Sequence, residues 1–90
     1  MLFRSPPPPN CLKLNFDGAM FPELGKAGLG VVVHDSQGTM IASLSKQAPM
    51  PYSSDIAEAM AAARALVFAQ ELGIDAFVLE GDSKVVINTL

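Results

Sequence analysis

Apolar and polar residues alternate through residues 11–17. Leu12, Leu14 and Phe16 fall on one side, and Cys11, Lys13, Asn15 and Asp17 on the other. A period of two predicts a strand with one face toward a core. Asp17 closes it, and Gly18 follows. Pro22, Gly25 and Gly28 mark residues 18–28 as a turn region. Residues 29–34 are nearly continuous apolar with three valines, the pattern of a central strand covered on both faces. Asp35-Ser36-Gln37-Gly38 reads as a tight turn and residues 39–45 as the returning strand, so the pair forms an antiparallel hairpin. The first strand joins them in a meander. Pro49 and Pro51 make residues 46–54 a connection.

The period then changes. Ile56, Ala57, Ala59, Met60, Ala61, Ala63, Val67, Phe68 and Leu72 recur at helical spacing, with Arg64 and Glu71 on the solvated stripe. Ser53, Ser54 and Asp55 are N-cap candidates and Gly73 a natural C′ residue. The many alanines permit a close approach to a sheet. Residues 76–80, centred on Phe77-Val78-Leu79, predict a fourth strand. Gly81 breaks it, Asp82 or Ser83 caps the next element, and residues 85–90 predict the start of a second helix. A helical crossover lets the fourth strand run parallel to the first. The class is therefore α/β with a mixed sheet.

Ninety residues make one domain, and 50% hydrophobic with 17% charged residues make it globular. Residues 1–10 carry Pro6 to Pro9, a polyproline II linker through which a preceding domain could be attached; residues 11–90 are the domain. The formal net charge of −3 argues against a module that binds DNA by charge alone, yet suits a nucleic-acid enzyme that works through bound cations. Cys11 is the only cysteine, so no internal disulfide and no cysteine-based zinc site form. No apolar run approaches the ~18 residues of a membrane span. A monomer in the cytoplasm or nucleus is the default expectation.

Three carboxylates stand at predicted element ends: Asp17 after the first strand, Glu58 in the first turn of the long helix, and Asp82 after the fourth strand. If the first and fourth strands are parallel neighbours, their C-terminal ends bring Asp17 and Asp82 together, and Glu58 reaches them from the covering helix. Clustered carboxylates repel without cations, and all-oxygen ligands suit Mg²⁺ or Mn²⁺. Each residue also has an ordinary role open to it. Asp17 before Gly18 is a turn residue, Glu58 three after Asp55 fits a capping pair, and Asp82 is an N-cap.

The stretch Lys13-Leu14-Asn15-Phe16-Asp17-Gly18-Ala19, then Gly28-Leu29-Gly30-Val31-Val32-Val33 with Asp35 and Gly38, then Ala57-Glu58-Ala59, then Leu79-Glu80-Gly81-Asp82-Ser83, together resemble the ribonuclease H type 1 domain. The likeness is to the reverse-transcriptase-like branch common in plant genomes and often carried in retroelement-derived proteins. It covers about residues 6–90. The resemblance implies a ribonuclease H-like α/β fold and hydrolysis of the RNA strand of RNA–DNA hybrids with two Mg²⁺ or Mn²⁺ ions. Asp17, Glu58 and Asp82 match the family's metal ligands. It also implies a fourth carboxylate, an assisting histidine, a fifth strand and a last helix further downstream. These are expected to be missing from a chain that stops at Leu90, which leaves an apolar sheet edge and helix face uncovered and makes a catalytically inactive, nucleic-acid-binding copy the alternative.

Overall fold

The structure is a computed structural model that describes residues 11–81 and 86–89. Its frame is a five-stranded sheet in the order β3-β2-β1-β4-β5, with a single described helix against one face. Strand β1 is Leu12–Phe21, β2 is Lys26–His34 and β3 is Met40–Pro49, paired as an antiparallel meander. Helix α1, Ser54–Glu71, carries the chain over the sheet to β4, Phe77–Gly81, which lies parallel to β1. The mixed sheet with its helical crossover is the architecture read from the sequence. Residues 1–10, read as a linker, lie outside the described residues.

The core forms where the period of two in the strands meets the helix. Leu14 and Phe16 from β1, Leu29, Val31 and Val33 from β2, and Phe77 and Leu79 from β4 all bury on the helix side. Each such side chain contributes about 1.5–3 kcal/mol. Helix α1 answers with a stripe of four alanines four residues apart, Ala57, Ala61, Ala65 and Ala69, all buried. With only methyl groups between them, helix and sheet approach closely. The larger Ile56, Leu66, Val67 and Leu72 stay exposed. Among the described residues, strand β2 is covered on one face only: Val32 and His34 are half-buried on the other.

Three boundaries differ from the sequence reading. Residues 18–28 were expected to form a turn, but β1 continues to Phe21 and β2 begins at Lys26, leaving the 3-10 turn Pro22–Leu24 between them. Glycine and proline were weighted as breakers there, whereas nine cross-strand pairs hold the two strands together. Residues 46–49 were expected in a connection but extend β3, because Lys46, Gln47 and Ala48 pair with Leu29, Gly28 and Ala27. Pro49 is tolerated since β3 is an edge strand and this is its last residue.

The third correction concerns the expected second helix. Val86–Thr89 is a strand, β5, antiparallel to β4 with Leu79 opposite Ile87. Valine, isoleucine and threonine lose side-chain freedom in a helix and favour a sheet, and here they meet the open edge of β4 that the sequence reading left uncovered.

Local signals were otherwise read correctly. The Asp35 carboxylate accepts from the amides of Gln37 and Thr39 at 2.9 Å each, closing the turn between β2 and β3. Gly73, with φ of 71°, follows the last residues of α1, and Ile74 N–H returns to the Ala69 carbonyl. Arg64 and Glu71 pair at 3.5 Å on the exposed stripe, a contact of small energy.

Cys11 is buried, and burial pushes its thiol up from the ordinary value. The folded chain is expected to react with a thiol reagent at about pH 8 at least about 100-fold more slowly than the chain in urea. Equal rates would place Cys11 at the surface.

Candidate active site

Asp17 was expected to end its strand, and the structure corrects this. It lies inside β1, opposite Gly30 of β2. What ends near it is the parallel ladder to β4, whose last pair is Phe16 with Gly81. Alternation puts Leu14 and Phe16 on the helix side and the exposed Asp17 on the other, the outer face of the sheet. The next residue after Gly81 is Asp82, which lies outside the described residues, as does Ser83.

Gly18 is the hinge of the site. A Cβ there would fall on the carbonyl of Ala57, with Glu58 N at 3.0 Å. The second turn of α1 therefore rests directly on β1, and only glycine leaves it room. In β1 the Leu12 N–H already turns to the β4 side, donating to the Ala76 carbonyl. The same edge carries the N–H of every second residue, so the Gly18 N–H faces that side beyond the last described β1–β4 pair. Glu58 supplies its acceptor: Gly18 N–H donates to Glu58 Oε1 at 3.1 Å. A helix carboxylate is thus drawn to the residue directly after Asp17. One Glu58 oxygen, Oε1, is engaged in this bond.

The capping role that the sequence left open for Glu58 is filled by another residue. Ser53 is the N-cap of α1, its hydroxyl accepting from Ile56 N–H at 3.3 Å. Glu58 is the fifth helical residue, two past the third position from which a side chain reaches back to the cap.

Two residues before Asp17, on the same outer face, Asn15 has a buried Oδ1 with no hydrogen-bond partner among the described residues. Nothing in the sequence marked it, since an asparagine on the polar side of a strand is ordinary until its surroundings are known. Buried acceptors are normally satisfied, so this oxygen has capacity for one more hydrogen-bond donor. The neighbouring Lys13 pairs with Glu80 at 2.9 Å across the β1–β4 boundary.

Asp17, Glu58 and Asn15 offer oxygen donors only, the type that hard divalent cations take. Among the described residues no cluster of three His, Cys, Asp or Glu side chains is assembled that could hold a metal ion; the third carboxylate of the set, Asp82, is outside them. The structure thus links Asp17 and Glu58 through Gly18 and carries β4 to the residue before Asp82.

A sequence model described as reverse transcriptase-like matches residues 15–90. No curated protein sequence matches the chain. Among solved structures, RNase H1 from the halophilic archaeon Halobacterium salinarum NRC-1 is similar, with a TM-score of 0.70 and 30% sequence identity over 79% of this chain and 53% of that one. The chain thus spans about half the length of that enzyme. The match takes in β1 from Asn15 onward, the helix bearing Glu58 and the end of β4, and the chain belongs to the reverse transcriptase-like family with a ribonuclease H-like fold.

Proposed function

We propose that the domain hydrolyses the RNA strand of RNA–DNA hybrids, with Asp17, Glu58 and Asp82 holding two divalent cations. The observation that carries this reading is the bond from Gly18 N–H to Glu58, which draws a helix carboxylate to the strand position next to Asp17. A capping explanation for Glu58 would need the N-terminus of α1, and Ser53 holds that place. The 30% identical structure is titled an RNase H1, which supports the substrate class.

Mg²⁺ or Mn²⁺, when bound, supplies an activated water and stabilises the leaving oxygen of the phosphodiester. The chain's own part is positional. Gly18 N–H fixes one oxygen of Glu58 and so sets the direction of the carboxylate. Asp17 presents its charge on the open face, where a strand can reach it. Asn15 Oδ1 accepts a hydrogen bond from a water on that face and orients it.

The test is cleavage of an end-labelled RNA–DNA hybrid by the full chain in Mg²⁺ or Mn²⁺ against EDTA. Metal-dependent RNA products with 3′-hydroxyl and 5′-phosphate ends are expected, and their loss in Asp17→Asn. Binding without cleavage would select the non-catalytic reading, and neither binding nor cleavage would remove both.

A further inference from the structure

We infer that the outer face of β1, β2 and β3 is a track for the phosphodiester backbone of one nucleic-acid strand, leading it to Asp17. This rests on the nucleic-acid substrate proposed above and specifies how the chain engages it.

Register defines the track. Three cross-strand rows succeed one another along this face: Asp17, Gly30 and Ser45; then Ala19, Gly28 and Gln47; then Phe21, Lys26 and Pro49. All but Pro49 border a groove of about 410 Å³. Rows two residues apart in an antiparallel strand lie about 7 Å apart, so Asp17 and Lys26 are separated by about 14 Å along β1. That length suits an extended strand rather than a single phosphate.

Charge is the first argument. Of the four described basic residues, Lys13 and Arg64 are ion-paired, with Glu80 and Glu71. Of the other two, which have no carboxylate partner among the described residues, Lys46 sits opposite Leu29 on the helix side of β3, and Lys26 is the one on this face. Lys26 Nζ donates to Gln47 Oε1 at 3.3 Å, a neutral partner that leaves the ammonium charge uncompensated. The contact engages the Gln47 oxygen and leaves its amide N–H groups as donors. The Ser45 hydroxyl lies in the row of Asp17. Ammonium, amide and hydroxyl donors along one groove are the set that phosphate oxygens accept from.

The floor is the second argument, and it is independent of the first. Gly28 and Gly30 occupy the outer face of β2, where glycine costs roughly 0.5–1 kcal/mol relative to alanine; at Gly28 the Phe21 ring, 3.1 Å from where a Cβ would stand, accounts for it. Neither has a positive φ. A Cβ at Gly30 would meet nothing nearer than the Asp17 carbonyl oxygen at 3.9 Å. Packing within the chain therefore does not require glycine there. A floor without side chains lets another backbone come close, and the place where it is bare is the row of Asp17.

The experiment measures anisotropy of a labelled RNA–DNA hybrid with the full chain, Ca²⁺ replacing Mg²⁺. Lys26→Gln is expected to bind roughly fivefold more weakly at about 50 mM salt, with a slope of log K against log salt shallower by about 0.9. Arg64→Gln, on the helix, should leave the slope unchanged. Gly30→Val is expected to keep or raise the unfolding midpoint while binding roughly tenfold more weakly, a combination that a purely structural glycine would not give. Hybrid binding by the unaltered chain with equal binding by Lys26→Gln would overturn the track and leave the substrate reading standing. No binding by the unaltered chain would overturn both.

Discussion

Gly18→Ala is expected to destabilise the domain by about 3 kcal/mol, at the upper end of what overpacking costs. The added methyl would land on backbone, the carbonyl carbon and oxygen of Ala57, with Glu58 N at 3.0 Å. A side chain in that position could rotate away; a helical carbonyl cannot. Relief requires α1 to lift from β1, and the stripe of Ala57, Ala61, Ala65 and Ala69 has no longer side chains to fill the gap this opens. Lifting α1 also draws Glu58 off the Gly18 amide, so any folded fraction should lose cleavage as well. Gly30→Ala is the matched control, because its methyl would meet nothing closer than 3.9 Å. Urea unfolding of the two variants checks the claim. A loss under about 1 kcal/mol for Gly18→Ala would mean that the helix and strand are not in firm contact.

The same contact explains what the sequence could and could not reveal. The alternation of Leu12, Leu14 and Phe16 against Lys13, Asn15 and Asp17 is local, as are the Asp35 turn and the Gly73 helix stop, and each is found where its pattern predicts. Element lengths depend on pairing partners far along the chain. Phe21 and Gln47 are in strands because β2 extends between β1 and β3 to receive them, and no window around Pro22 or Pro49 contains that fact. Residues 86–89 were expected to begin a helix because glycine and cap-like residues precede them; their β-branched side chains favour a strand, and an available β4 edge decides the matter. The site follows the same division. Asp17 and Glu58 were visible as carboxylates near element ends. The bond that ties Glu58 to Gly18 spans 40 residues of sequence, and the unpartnered Asn15 oxygen exists only once the sheet has buried it.

Glu58→Gln and Glu58→Ala should separate the two services that Glu58 performs. Glutamine keeps an oxygen for the Gly18 N–H, so its unfolding free energy is expected within about 1 kcal/mol of the unaltered chain. Alanine leaves that half-buried amide without its acceptor and should cost about 1–3 kcal/mol. Stability therefore orders the proteins as unaltered, Gln, Ala. Cleavage should order them differently. If the carboxylate charge holds a cation, both substitutions remove it, and both should lower the rate on an RNA–DNA hybrid by at least about 100-fold, the scale seen when a group stabilising developing charge is removed. The Mn²⁺ concentration for half-maximal rate should rise in both. A Gln variant that cleaves at the full rate with an unchanged Mn²⁺ midpoint would reduce Glu58 to a hydrogen-bond acceptor for β1. The cations would then rest on Asp17 and Asp82, and the bond at 3.1 Å would be a device for seating the helix on the sheet.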